Sequence, residues 1–241
     1  LGPITAQAGS NRRVPNRLCY RYRNLYQERR CDGNEESGYT EAFIAIMKPG
    51  FSPTSPFRLP SWAIRLARRQ QRPILTARDR MRFVIQLALT NVELETGGPF
   101  GAAVFETTTG RLVSIGVNLV VSSHCSHAHA EMVALANAQQ AIGYFDLGAA
   151  GMPKHELVTS CEPCSMCYGA IPWAGVRKVL CGARGSDAEA IGFDEGPKPK
   201  NWVTALKERG IAVSRDLCRD EAMAVLQNYK KAGGEIYNAR K

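Results

Sequence analysis

The sequence lacks the features that mark membrane, secreted and repeat proteins. No apolar run approaches the ~20 residues that a bilayer-spanning helix needs, and no signal-peptide pattern is visible. Beyond residue 75 there is neither an internal repeat nor a low-complexity tract. Because 44% of the 241 residues are hydrophobic, the chain can bury a substantial core. We therefore expect a soluble, cytoplasmic protein without a membrane partner.

Net charge is missing from two thirds of the chain. Residues 1–80 contain 15 basic and 6 acidic side chains, which accounts for the whole excess of +9, whereas residues 81–241 contain 16 of each sign. Proteins that bind nucleic acids usually carry a basic surface on the functional domain. The neutral balance beyond residue 80 therefore argues against a nucleic-acid substrate.

Regular periodicity is missing from residues 1–75, which contain scattered prolines and many arginines. We predict a basic extension that is either disordered or foreign to the native protein. The alternative is an organelle-targeting segment. Such segments lack acidic residues, so Glu35, Glu36 and Glu41 count against that alternative.

Regular structure is predicted from about residue 76 onward. Apolar residues at helical spacing indicate a helix that begins near Ala77 and stops at residues 96–99. Two strands joined by a turn follow, and beyond His129 helices alternate with three further strands. This alternation favours a sheet covered by helices on both faces. We predict an α/β protein in which residues 76–241 form a three-layer α/β/α domain around a mostly parallel five-stranded sheet.

A metal site is predicted from the cysteine spacing. Four of the eight cysteines crowd between Cys161 and Cys181, which indicates metal chemistry rather than disulfides in a chain of this size. Cys164 and Cys167 would face the same side of a helix. His129, at the start of the preceding predicted helix, would supply a third ligand. Thiolate sulfur and imidazole nitrogen are ligands that zinc prefers, so we predict that these three residues hold Zn²⁺.

A free acid lies beside the predicted metal. Three protein ligands leave a position for water, whose pKa zinc lowers from near 16 toward roughly 7. Glu131 follows His129 by two residues and could take a proton from that water and later protonate a departing amine. His-x-Glu followed by Pro-Cys-x-x-Cys matches the zinc deaminase signature. Glu131 is therefore the predicted catalytic residue.

Two other interpretations of the cysteines stay open. Cys161 together with Cys164, Cys167 and His129 would make a closed structural site, in which Glu131 has no role. Alternatively, Cys164 and Cys167 would form a redox-active disulfide, an arrangement that does not call for a histidine.

The motifs around these residues resemble those of the cytidine deaminase-like superfamily, and most of all those of the small zinc-dependent guanine deaminases. The resemblance covers about residue 78 to the C-terminus. It rests on these stretches: 97–101, Asn118, 127–131, 162–167 with 169–170, 173–174, 192–195 and 236–238. The stretches at Trp173 and at 192–195 point more narrowly to guanine deaminases.

The resemblance implies a substrate pocket. In it, Phe100 would stack on a purine and Asn118 would hydrogen-bond it, while Ala130 and Asp194 would also contact the substrate. An acid of the 192–195 loop would be a second proton carrier. Glu195 is the favoured residue, and Asp194 is the alternative.

The resemblance also implies a C-terminal lid and a dimer. The segment 233–241 would close over the site, with Tyr237 as its aromatic side chain. In such enzymes this segment often comes from the partner subunit, so a homodimer with an exchanged C-terminal segment is expected.

The predicted reaction is the hydrolytic deamination of a small nucleobase. Guanine giving xanthine and ammonia is the leading reaction, with aminotriazines as further substrates. A tRNA adenosine or cytosine deaminase shares the zinc signature and is the alternative enzyme, although it would need a basic path to the pocket. A zinc-stabilised interaction domain is the non-enzymatic alternative.

Overall fold

The computed structural model describes residues 57–238. Within them the strands are Gly101–Glu106 (β1), Leu112–Val117 (β2), His155–Cys161 (β3), Lys178–Ala183 (β4) and Ala212–Ser214 (β5). They form one sheet in the order β2-β1-β3-β4-β5. Strands β3 and β4 and strands β4 and β5 pair in parallel, whereas β1 pairs antiparallel with both β2 and β3.

The sheet is therefore mixed, and the prediction of a mostly parallel sheet is wrong in this respect. A short turn joins β1 to β2, which forces the two strands to run in opposite directions. The next strand, β3, runs in the same direction as β2 but enters the sheet beside β1. Strand β1 thus lies between two antiparallel neighbours, and parallel pairing begins only at β3.

Eight helices are described, and they are numbered here from the first described one. Their bounds are Ser61–Arg69 (α1), Ala77–Glu93 (α2), Val120–Ser123 (α3), Ala130–Ile142 (α4), Ser165–Ala174 (α5), Gly185–Ile191 (α6), Trp202–Glu208 (α7) and Arg219–Lys231 (α8). Helix α2 begins where Thr76 accepts a hydrogen bond from the backbone N–H of Asp79, as an N-cap residue does.

Two hydrophobic cores lie on opposite faces of the sheet. Successive residues of β1 alternate between them, because side chains of a strand point to opposite faces: Ala103 and Phe105 belong to one core, and Ala102 and Val104 to the other. Helices α2 and α8 cover the first core, and helices α4, α5 and α7 cover the second. The predicted three-layer α/β/α architecture is confirmed.

Residues upstream of the predicted domain boundary also pack on this core. Phe57, Leu59 and Ala63 are buried in the same core as helix α2. The packed part of the chain therefore begins before residue 76, and the exact domain boundary stays a prediction. Residues 1–56, the larger part of the predicted extension, lie outside the described residues.

The topology places two helix starts at one edge of the sheet. Strands β2 and β3 run in the same direction, so their C-terminal ends lie at the same edge. Helix α4 begins after the first of these ends, and helix α5 after the second. Within residues 57–238, no helix is both long and apolar enough to cross a bilayer.

Candidate metal centre and substrate pocket

Three side chains predicted as metal ligands meet at these helix starts. His129 is the N-cap of α4 and Cys164 is the N-cap of α5, both with extended backbone. The Nδ1 atom of His129 lies 3.4 Å from Sγ of Cys164 and 3.6 Å from Sγ of Cys167. All three donor atoms lie within 4.8 Å of one another. One nitrogen and two sulfurs converging in this way fit a single zinc ion.

Cys161 does not join this cluster. Its thiol instead lies 3.4 Å from the backbone carbonyl of Arg184, and burial raises the pKa of that thiol well above its usual value. Among residues 57–238, only His129, Cys164 and Cys167 form a cluster that could hold a metal ion. The closed four-ligand site is therefore not built in this structure. The sulfurs of Cys164 and Cys167 both lie against the imidazole of His129, an arrangement that a redox pair does not require.

The charge state of the two sulfurs suits a metal site. A hydrogen bond from Cys167, assisted by His129, lowers the pKa of Cys164 to about 4, against the opposing effect of burial. The pKa of Cys167 is raised by the same hydrogen bond and by burial. Burial disfavours a charged His129, but its contacts with Cys164 outweigh burial and raise the pKa of the imidazole. A thiolate is thus already favoured, and metal ligation requires one.

Glu131 lies beside the ligands without being one of them. It is the second residue of α4, and only 6% of its surface is exposed. Burial is the main reason why the pKa of its carboxyl is raised, and it lies within reach of a hydrogen bond with Cys167. A buried acid with a raised pKa can hold a proton as well as release one.

Glu195 is the second buried acid near the ligands. Its backbone carbonyl accepts a hydrogen bond of 2.8 Å from the N–H of Ser165, which ties the loop to the start of α5. Burial raises the pKa of its carboxyl to about 8, although the positive charge of Lys198 partly opposes this shift. Asp194 is exposed, and its carboxylate accepts a hydrogen bond from the N–H of Gly196. The structure therefore separates the two candidate acids: Glu195 is buried near the ligands, and Asp194 shapes a turn.

The predicted aromatic residues are joined through Phe193. The ring of Phe193 meets Phe100 edge-on at 5.0 Å and Tyr237 at 5.2 Å, measured between ring centroids. Tyr237 also lies 6.2 Å from the ring of His129. Phe193 belongs to the 192–195 sequence motif, but its position between Phe100 and Tyr237 depends on how the C-terminal segment packs.

Asn118 and Tyr237 face the same small space. A Cβ atom on Gly98 would lie 3.0 Å from Oδ1 of Asn118 and 3.1 Å from the hydroxyl oxygen of Tyr237. This hydroxyl is buried, and the side chain of Asn118 lies close enough to interact with it. Ala130 is fully buried in the second core. The roles of these residues toward a substrate remain predictions.

Lys198 and Asn91 are two residues near the site that sequence reasoning missed. Lys198 donates a hydrogen bond of 2.8 Å to the carbonyl of Pro163 and lies 3.5 Å from the carboxylate of Glu195. Asn91 is fully buried behind the loop that carries Phe100. Neither belongs to a motif, so no sequence signal distinguished them from ordinary loop and helix residues.

Comparison with known proteins agrees with this geometry. A family model described as the cytidine and deoxycytidylate deaminase zinc-binding region matches residues 76–183, which include the three ligands and Glu131. Over 127 residues the chain is 37% identical to the guanine deaminase of Bacillus subtilis (strain 168), covering 53% of this chain and 77% of that protein.

Solved structures agree as well. The fold is similar to that of a guanine deaminase from Nitrosomonas europaea, with 46% identity and a TM-score of 0.69 over 72% of this chain and 94% of that chain. A structure of the Nitrosomonas protein in complex with 2,6-diaminopurine gives 48% identity and a TM-score of 0.70 over 76% of this chain and 96% of that chain. The chain belongs to the cytidine and deoxycytidylate deaminase zinc-binding family, and within it is similar to the guanine deaminases, which are aminohydrolases acting on C–N bonds.

Proposed function

We propose that this protein converts guanine and water into xanthine and ammonia with the help of bound zinc. One observation carries the proposal: a buried carboxyl group, Glu131, lies beside a His/Cys/Cys ligand set to which it does not belong. Zinc held by these ligands supplies Lewis acidity, which makes water acidic enough to react near neutral pH. A purely structural zinc site would give no function to this buried acid.

Glu131 is the proposed proton carrier of the addition step. Its carboxylate takes a proton from the attacking water while the water oxygen bonds to the amine-bearing carbon of the base. The same carboxyl then gives the proton to the adjacent ring nitrogen, which restores the carboxylate. The raised pKa of Glu131 favours this sequence, because the protonated form must persist between the two transfers.

Glu195 is the proposed acid of the elimination step. The carbon–nitrogen bond breaks when the amine receives a proton and leaves as ammonia. A carboxyl group with a pKa of about 8 carries that proton at neutral pH. As the new carbonyl forms, the proton of the added hydroxyl passes to Glu131, and exchange with solvent then restores both carboxyls. The exposure of Asp194 favours Glu195 for this role.

The proposed purine site lies among Phe100, Asn118 and Tyr237. The buried hydroxyl of Tyr237 lies beside the side chain of Asn118, and together these two polar groups offer hydrogen bonds to a purine edge. Phe100 offers an aromatic face in the same aromatic cluster. An aminotriazine carries a similar hydrogen-bonding edge, so we keep it as a second candidate substrate.

We also propose that the protein is a homodimer. Trp173 on α5 is 84% exposed, and it lines a shallow apolar groove with Met132 and Leu135 of α4 and Ala170 of α5. Exposed apolar surface of this kind is typical of protein interfaces. In the described part of the C-terminal segment, Tyr237 lies near His129 of its own chain. Its exchange between subunits stays a proposal.

A cytoplasmic location is part of the proposal. The six cysteines of the described part of the chain are free thiols. Zinc-binding thiolates persist best in a reducing compartment. Localisation of the tagged full-length chain to an oxidising compartment would contradict this.

A substrate panel tests the proposed reaction. Zinc-loaded protein is assayed for ammonia release with guanine, adenine, cytosine, an aminotriazine and a tRNA anticodon stem-loop. We expect guanine to be the preferred substrate, and we expect activity to disappear on removal of zinc and to return with it. Inertness toward every free base would refute the proposal, and salt-sensitive activity on the stem-loop alone would establish the tRNA alternative.

A further inference from the structure

Asn91 lies behind the proposed purine site, and its side-chain amide hydrogen-bonds two loops that border this site. It lies near the end of α2 and is fully buried. Its Nδ2 atom donates to two backbone carbonyls, that of Gly98 and that of Asn118, each at 2.9 Å. A single side-chain amide thus joins the loop before β1 to the loop after β2.

A second pair of hydrogen bonds holds the oxygen of this amide. The hydroxyl of Thr96 donates to Oδ1 of Asn91 at 2.7 Å, and the indole N–H of Trp62 donates to the same hydroxyl at 3.0 Å. Because a hydroxyl has one hydrogen, receiving the indole N–H leaves that hydrogen for Asn91. A flipped amide would set its oxygen against two carbonyl oxygens, so these carbonyls select the observed orientation, and the hydroxyl of Thr96 holds the amide oxygen on the opposite side.

The two carbonyls held by Asn91 belong to the residues that shape the pocket. Gly98 also accepts a hydrogen bond from the N–H of Phe100, and the carbonyl of Phe100 accepts one from the N–H of Asn118. The loop is closely packed, since a Cβ on Gly97 would lie 1.9 Å from the carbonyl oxygen of Asn118. A change in the Asn91 amide would therefore move Phe100 and Asn118 together.

We infer that Asn91 is a positioning residue for the purine pocket, and that helix α1 holds its amide in place through Trp62 and Thr96. The inference rests on the proposed function for its substrate. The inference also assigns a function to part of the segment upstream of residue 76, because Trp62 on α1 donates the hydrogen bond to Thr96.

Two replacements of Thr96 distinguish the effect of its hydroxyl group from the effect of its side-chain packing. Thr96→Val keeps the shape but removes the donor to Asn91, whereas Thr96→Ser keeps the donor and removes a methyl group. In Thr96→Val we expect about a tenfold rise in KM for guanine and in Kd for 8-azaguanine, the change that follows from losing a well-placed hydrogen bond. We expect kcat and zinc content to change little, and Thr96→Ser to bind as the parent does.

The same variant in an Asn118→Ala background tests whether the effect passes through Asn118. If it does, Thr96→Val causes a smaller loss in the Asn118→Ala background than in the parent, because only the displacement of Phe100 remains to weaken binding. Gln86→Ala, which removes an exposed contact with Thr90 on the same helix, is the matched control and should bind normally. Equal losses in Thr96→Val and Thr96→Ser, or an additive loss in the Asn118→Ala background, would overturn the inference.

Hydrogen exchange keeps this test independent of catalysis. We expect backbone amides in segments 97–101 and 118–121 to exchange faster in Thr96→Val than in Thr96→Ser or the parent. Unchanged exchange would refute the positioning role even in an active enzyme. If the parent neither deaminates guanine nor binds 8-azaguanine, the proposed function fails by itself, and the exchange rates still decide the role of Asn91.

Discussion

Two buried acids, Glu131 and Glu195, differ in the groups that surround them. Glu131 lies within hydrogen-bonding reach of a cysteine ligand, whereas Glu195 faces the ammonium group of Lys198. Both carboxyl pKa values are raised, and burial is the main cause in each case. Acids held in distinct environments suit distinct proton transfers, one for the attacking water and one for the departing amine.

The pKa of Glu195 predicts an alkaline limit to activity. Its carboxyl is protonated below about pH 8 and loses its proton as the pH rises through that value. Because the proposed elimination needs the protonated form, kcat/KM should fall above about pH 8. Glu195→Gln should remove this alkaline limb and lower kcat by on the order of 10²-fold. The pH dependence of guanine turnover measures both effects.

An exposed acid provides the control for this prediction. Glu189 lies on the surface of α6, so Glu189→Gln should leave the profile as it is in the parent. If the alkaline limb persists unchanged in Glu195→Gln, another group is responsible and Glu195 is not the acid.

The sequence could predict residues whose chemistry depends on local spacing. His129, Cys164 and Cys167 converge as expected, because each lies at or near a helix start and the strands bring these starts to one edge. Asn91 could not be found in this way. Its partners are 7 and 27 residues away, and their relation to it depends on how two loops pack.

At the scale of elements, local sequence signals predict the strands and the long helices, whereas they do not predict which strands pair in the sheet. The helix over Ala77–Glu93 carries a clear apolar face and an N-cap, so its start could be read from the sequence. The mixed pairing of the sheet could not be read from the sequence. Strand β3 pairs with β1 rather than with another strand, and this pairing depends on contacts between residues far apart in the chain. Helix α6 is also hard to predict, since its seven residues are too few for a periodic signal.

The lid segment is shaped by the end of the last helix. Helix α8 ends at Lys231, and a Cβ on Gly234 would lie 2.4 Å from ring atoms of Tyr229. The hydroxyl of Tyr229 donates to the carbonyl of Glu235 at 2.7 Å. Farther along, the side chain of Asn238 bonds the backbone of Gly192 and of Asp194. These contacts hold Tyr237 near the ligands in the same chain.

At the scale of the whole molecule, the exposed groove beside Trp173 predicts an interface between two copies. A tryptophan at the centre of an interface commonly contributes several kcal/mol to binding, so Trp173→Glu should weaken dimerisation about thirtyfold or more. Sedimentation across a concentration series should show a dimer for the parent and a monomer for the variant.

The control for the interface replaces another exposed apolar residue. Leu75 is 74% exposed and precedes α2, away from the groove on α4 and α5. Leu75→Glu should sediment as the parent does. A monomeric parent would contradict the proposed dimer, and so would a Trp173→Glu variant that remains dimeric.

The central claim is that a free acid works beside a zinc ion held by three protein ligands. Zinc content and guanine turnover, measured on the same samples of the parent and of Glu131→Gln, test this most directly. We predict that the variant binds as much zinc as the parent but loses activity by on the order of 10³-fold or more, because only the proton carrier is gone. Turnover equal to that of the parent, with zinc still bound, would contradict the account.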